Sequence, residues 1–129
     1  MEAPLIREAS PGDPRLLAYV RRAADGFAHD FERVRADLET GASVGYLVHV
    51  SGVAVAGFVL GHDDGFLVVE AAAGQADFDL VKTIMPKIEE AARFAGARGV
   101  RVETYRRGLV EKLGRLGFLT QHVCMAKAA

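Results

Sequence analysis

Three short apolar runs in the middle of the chain are separated by glycine-containing breaks, and the stretch directly after them switches to a helical period. Residues 46–50, 53–60 and 66–71 are rich in β-branched, aromatic and small apolar side chains. Ser51-Gly52 and His62-Asp63-Asp64-Gly65 lie between them, and each break carries a glycine able to take the positive φ of a tight hairpin. The pattern predicts three antiparallel strands joined by hairpins. Val81, Ile84, Met85, Ile88, Ala91, Ala92 and Ala95 then recur at the spacing of a helix with one buried stripe. Pro86 falls inside this stretch and is expected to kink or divide the helix, since its ring removes a hydrogen bond and crowds the preceding turn. Gly96 closes it.

The flanks complete the pattern. Pro11-Gly12-Asp13-Pro14 predicts a break followed by a helix start, with Asp13 as N-cap and Pro14 at the first helical position. Leu16, Leu17, Val20 and Ala24 follow at helical spacing. A second helix is expected over 30–38, with Phe31, Val34 and Leu38 on one side and Gly41 after it. Beyond Gly96, the sequence predicts a strand over 100–105, a short helix over 108–115 and a last strand over 118–125. A meander followed by strand, helix, strand, helix, strand implies one mixed α+β domain spanning 1–129, a sheet flanked by helices.

Composition excludes several classes of function. Sixteen Lys and Arg against 17 Asp and Glu leave a net charge of −1, so nothing points to nucleic acid or an anionic membrane as the main partner. The apolar run over 53–60 is too short to span a membrane, and the N-terminus lacks a signal-peptide core. Cys124 is the single cysteine, so the fold stands without an internal disulfide. A reduced, cytoplasmic setting fits. His29, His49, His62 and His122 share no metal-ligand spacing with one another or with Cys124, and no metal is expected.

From about residue 46 to 127 the chain resembles the GCN5-related N-acetyltransferase (GNAT) superfamily. The match rests on Leu113-Gly114-Arg115-Leu116-Gly117-Phe118 at the exit of the short helix, on Ala95-Gly96-Ala97 and Arg106-Arg107-Gly108 before it, and on element order. The resemblance implies a mostly antiparallel sheet that splays between its fourth and fifth strands, with acetyl-CoA entering the splay. The cofactor's diphosphate is then expected on backbone N–H groups at the start of the long helix, where free donors and the helix dipole favour an anion. In this chain those positions are Gly74, Gln75 and Ala76.

The same resemblance exposes departures. The arginine or glutamine that leads the family's phosphate loop is missing, and Asp77 and Asp79 fall at the helix start. A carboxylate about 5 Å from a phosphate costs roughly 3 kcal/mol at an effective dielectric near 20, about a hundredfold in affinity. Asp77 itself reads as an N-cap on the donors that a phosphate would use. Leu113 stands where many members carry a tyrosine that protonates the leaving thiolate. Tyr105 is the nearest substitute, though filling the splay is its other role. Glu70 matches the carboxylate that in some members deprotonates the amine through water, unless it reaches the strand end and solvent. The basic stretch formed by Arg98, Arg101, Arg106, Arg107, Lys112 and Arg115 would meet the cofactor's 3′-phosphate, an acidic protein surface, or only solvent.

Two functions follow. One is a domain with an altered cofactor site and no expected cofactor, acting through a protein partner or self-association. Short family members encoded among tailed-phage genes resemble this chain in length and in the altered loop, which implies a virion or morphogenesis role. The other is an acetyl-CoA-dependent N-acetyltransferase of a small-molecule or protein amine, with Glu70 and Tyr105 as its catalytic groups.

Overall fold

Hairpin chemistry sets the centre of the structure, a computed structural model that describes residues 3–24, 28–104 and 107–121, with residues 28, 29, 107 and 108 described through their backbone alone. Strands β2 (Val44–Val50), β3 (Val53–Asp63) and β4 (Phe66–Gly74) form the expected meander, each at least as long as its apolar run suggests. Both connections are two-residue turns with positive φ at each position, Ser51 and Gly52 at 52° and 80°, Asp64 and Gly65 at 51° and 79°. That backbone matches the right-handed twist of the strands it joins.

Sequence reading misses strand β1 (Leu5–Ala9), which pairs antiparallel with β2 at the sheet edge. Its five residues put Arg7 and Glu8 side by side, so no alternation marks it. After it come α1 (Pro14–Ala24) and α2 (Ala28–Thr40). Asp13 caps α1 as expected, its Oδ1 accepting from the Arg15 N–H at 2.9 Å. Gly41 leaves α2 at φ 80°.

The longest helix is α3 (Leu80–Phe94). Pro86 does not divide it. The proline lies on the exposed side, where the carbonyl it leaves unpaired can be hydrated, while Ile84, Met85, Ile88 and Ala92 hold the buried stripe. Gly96 at φ 73° ends it, with the Ala97 N–H returning to the Ala92 carbonyl at 2.9 Å. Strand β5 (Val100–Val102) then pairs parallel with β4, and α4 (Arg107–Arg115) follows. Residues 118–121 form no strand; the rest of the expected last strand, and Tyr105, lie outside the described residues.

The described sheet has five strands in the order β1-β2-β3-β4-β5. One face packs on α1 and α2 through Leu16, Val20, Phe31, Val34, Leu38, Leu47 and Val59. The other packs on α3 and α4 through Phe58, Leu67, Val69, Ile84, Met85, Ile88 and Leu113. Both faces are apolar, which explains why β3 and β4 read as near-continuous apolar runs and not as alternating ones.

Candidate functional site

Strand β4 carries the feature that builds the site. Residues two apart on a strand normally share a face, yet Val69 belongs to the α3 side and Ala71 to the α1–α2 side. The cause is a bulge: Val59 pairs with Ala71 and Leu60 with Val69, leaving Glu70 as the extra residue. The pairing of β4 with β5 also stops here. It covers Leu67–Val69 against Val100–Val102, with one further bond from the Glu103 N–H to the Val69 carbonyl at 3.0 Å. Strand β4 continues to Gly74 without β5 beside it, so the sheet splays as expected. A cleft of about 1310 Å³ follows the splay, lined among the described residues by Glu70, Ala72, Glu103 and Leu113 and, from α2, by Asp30 and Arg33.

Glu70 does not reach out to solvent. Its side chain is only 9% exposed and lies 3.5 Å from the Arg33 guanidinium through Oε1. Ser43, itself buried, donates its hydroxyl to Glu70 Oε2. The Asp37 carboxyl is a further hydrogen-bonding neighbour. Burial pushes the Glu70 carboxyl above its ordinary value and Asp37 adds to the rise, against the opposing pull of Ser43 and Arg33. Gly61 makes the room: a Cβ there would stand 2.5 Å from Glu70 Oε2 and 2.9 Å from Ser43 Oγ. Only Glu70 of this group is visible as a candidate in the sequence. Arg33 and Asp37 are four apart on α2, a spacing that places them on one face, but nothing in the sequence directs that face at β4.

The start of α3 lies outside the lining of this cleft, which takes only Glu89, Ala92 and Arg93 from that helix. Its cap is Asp79 and not Asp77: Asp79 has φ −75° and ψ 102°, and its Oδ1 accepts from the Lys82 N–H at 3.2 Å. Asp77 lies two residues too early to cap a helix that begins at Leu80. Lys112 of α4 places its Nζ 3.9 Å from Asp79 Oδ1, a cation the sequence did not connect with this loop.

Other candidates separate. Leu113 is buried in the α3-side core, consistent with a packing role. Arg98 and Arg101 are held by Asp64 and Asp63 at 3.3 and 3.0 Å, and both guanidinium groups lie over the Phe66 ring. His62 therefore sits beside carboxylates already engaged. Among the described residues no group of three or more metal-ligating side chains assembles, and no helix is long and apolar enough to cross a membrane. His122, Cys124 and Arg106 fall outside the described residues.

No protein-family model and no curated protein matches the sequence. Solved structures match over nearly the whole chain. An aminoglycoside acetyltransferase from an uncultured soil metagenomic sample superposes with TM-score 0.68 at 14% identity, covering 98% of this chain and 99% of its own. The chain has the fold of the GCN5-related N-acetyltransferases. A GCN5-related N-acetyltransferase from Ralstonia eutropha JMP134 gives 0.66 at 14% identity over 98% and 99% of the two chains. An aminoglycoside N-acetyltransferase solved with CoA gives 0.64 at 13% over 99% and 96%.

Within the GNAT fold the loop between β4 and α3 is where a CoA diphosphate would be tested for fit. Gly74 is there for strand packing: a Cβ would come 2.7 Å from the Val55 carbonyl oxygen and 2.8 Å from Ala56 Cα. The Gln75 N–H already donates to the Val55 carbonyl at 2.9 Å. Ala76 follows without regular structure. With the Lys82 N–H taken by Asp79, two donors and the one glycine in this loop are committed within the protein.

Proposed function

We propose that this chain is a GNAT-fold binding protein whose diphosphate cradle is filled by the protein's own groups, and that it acts through a protein partner or self-assembly and not through acetyl transfer. The observation that carries this reading is the Asp79 carboxylate on the Lys82 N–H in the first turn of α3, together with the Gln75 N–H spent on β3. An anion arriving there would meet a negative side chain, only partly offset by Lys112. A virion or morphogenesis role accords with the short phage-encoded members that the sequence resembles; it requires the native protein to sediment with a large particle, and recovery only as a small free species would refute it.

Calorimetric titration with acetyl-CoA and with CoA tests the central claim. No heat of binding is expected up to millimolar ligand, and micromolar affinity would overturn the reading. Asp79→Ser keeps a capping oxygen and removes the charge, so it should gain CoA affinity if the carboxylate is the obstacle.

One observation favours a second reading. A carboxylate with raised proton affinity, 9% exposed and on the wall of the cleft, is suited to take a proton from an amine at neutral pH. In that case the chain is an acetyl-CoA-dependent N-acetyltransferase with Glu70 as its base. Acetyl transfer to an amine, abolished by Glu70→Gln, is the result that would establish it.

A further inference from the structure

Glu70 is the one charged residue of β4, and it faces a pair of opposite charges on α2. Arg33 lies 3.5 Å from Oε1, and Asp37, one turn later, presents its carboxyl to the same group. Arg33 is also 4.0 Å from Asp30 and its side chain is 41% exposed, so it compensates one carboxylate only in part. Below α2, the Ser43 N–H donates to the Asp37 carbonyl at 3.1 Å while the Ser43 hydroxyl donates to Glu70. The polar side chains between α2 and β4 thus converge on Glu70.

We propose that α2 is clasped to β4 by a proton held on Glu70, and that loss of this proton loosens α2 and opens the mouth of the cleft. With the proton in place, Glu70 donates a hydrogen bond to the Asp37 carboxylate, and Arg33 balances the remaining negative charge. Without it, two carboxylates face each other beside a single shared guanidinium. On the β3 side Glu70 already occupies the space that Gly61 leaves open, with its Oε2 against the Ser43 hydroxyl. The element that yields is α2, and Asp30, Arg33 and Val34 of α2 line the cleft. Of the charged residues on the other walls, Asp63 of β3 pairs with Arg101 of β5 at 3.0 Å, Glu103 follows β5 with its N–H on the Val69 carbonyl, and α3 contributes Glu89 and Arg93. Burial and the Asp37 carboxyl favour the protonated form of Glu70 and outweigh the opposing pull of Ser43 and Arg33. This device does not depend on whether the cleft receives acetyl-CoA.

Amide hydrogen exchange of the full chain at about pH 5 and about pH 8, corrected for intrinsic rates, tests it. Protection of α2 relative to α3 should fall on the order of tenfold at the higher pH, about 1.4 kcal/mol of opening free energy. Glu70→Gln, which keeps a donor toward Asp37 and carries no charge, should hold α2 protected at both values. Asp37→Asn removes the opposing carboxylate and should level the response as well, which keeps the test open if the first variant fails to fold. Equal α2 protection at both pH values in the unmodified protein would overturn the proposal. So would a loss shared equally by α3, or a pH response that survives in both variants.

Discussion

Gly74 separates a packing glycine from a ligand-binding one, and Gly74→Ala tests which it is. The added methyl would overlap the Ala56 side chain and press on the Val55 carbonyl oxygen at 2.7 Å and Ala56 Cα at 2.8 Å. Two of these three neighbours are backbone, so no rotamer change relieves the contact. Overpacking of this kind costs about 1–3 kcal/mol. Moving β4 away from β3 also strains the bond from the Gln75 N–H to the Val55 carbonyl, worth about 1 kcal/mol. The total is on the order of 2–4 kcal/mol. For 129 residues, an unfolding entropy of roughly 0.27 kcal/mol/K converts this into a lowering of Tm by roughly 7–15 °C. Thermal unfolding followed by circular dichroism measures it directly. A Tm within about 2 °C of the unmodified protein would refute the claim that β3 packing dictates this glycine, and would make Gly74 a candidate ligand contact again.

Gly114 is the contrasting case: it sits in α4 with nothing within 4 Å of where a methyl would stand, so Gly114→Ala should stabilise by about 0.5–1 kcal/mol, measurable by urea unfolding. Glu70 has its folded proton affinity raised, so its contribution to stability is full below its ordinary carboxyl range and is lost as pH rises through the folded value. Glu70→Gln should flatten that decline in a pH series of unfolding free energies, and an unchanged slope would contradict it. Replacing Asp79 by Ala removes the α3 cap and should cost about 0.5–2 kcal/mol, whereas Asp77→Ala should leave unfolding within about 0.5 kcal/mol.

Local chemistry was legible in the sequence wherever a few adjacent residues decide it. The Asp13-Pro14 start of α1, the Gly41 and Gly96 exits and the two glycine hairpins stand in the structure as their residue types require. The stripes of α1 and α3 were readable because burial on one face leaves a periodic trace. Strand β1 left none, since an edge strand of five residues needs little apolar patterning. Pro86 is readable as a kink or a break, and the break is absent because a proline on an exposed face leaves a carbonyl that water can meet, which sequence does not record. At the site, Glu70 could be singled out but not its surroundings: Ser43 is 27 residues away, and the bulge that turns Glu70 toward α2 has no sequence signature among Val68, Val69, Ala71 and Ala72. The choice between Asp77 and Asp79 as cap depended on where the chain turns into α3, which two aspartates in near succession leave open.

The bulge at Glu70 and the start of α3 follow opposite rules of polar satisfaction. At the start of α3 the Lys82 N–H, one of the donors that a helix terminus leaves unpaired, is met within the turn by Asp79. Just before it, the Gln75 N–H is met by the Val55 carbonyl of the neighbouring strand, and a ligand must break these contacts to use either donor. At the bulge the reverse holds. Glu70, Ser43, Asp37 and Arg33 come from three separate stretches, and the space they occupy exists because Gly61 has no side chain. A buried carboxyl costs stability unless its partners are complete, and here completion depends on one proton. If cleft chemistry or regulation survives in this chain, polar satisfaction places it at the bulge and not at the helix terminus. The double variant Asp79→Ser with Glu70→Gln makes that separation measurable: its effects on CoA affinity and on α2 protection should be those of the two single variants, within about 0.5 kcal/mol. A larger coupling would mean that the bulge and the start of α3 act as one site.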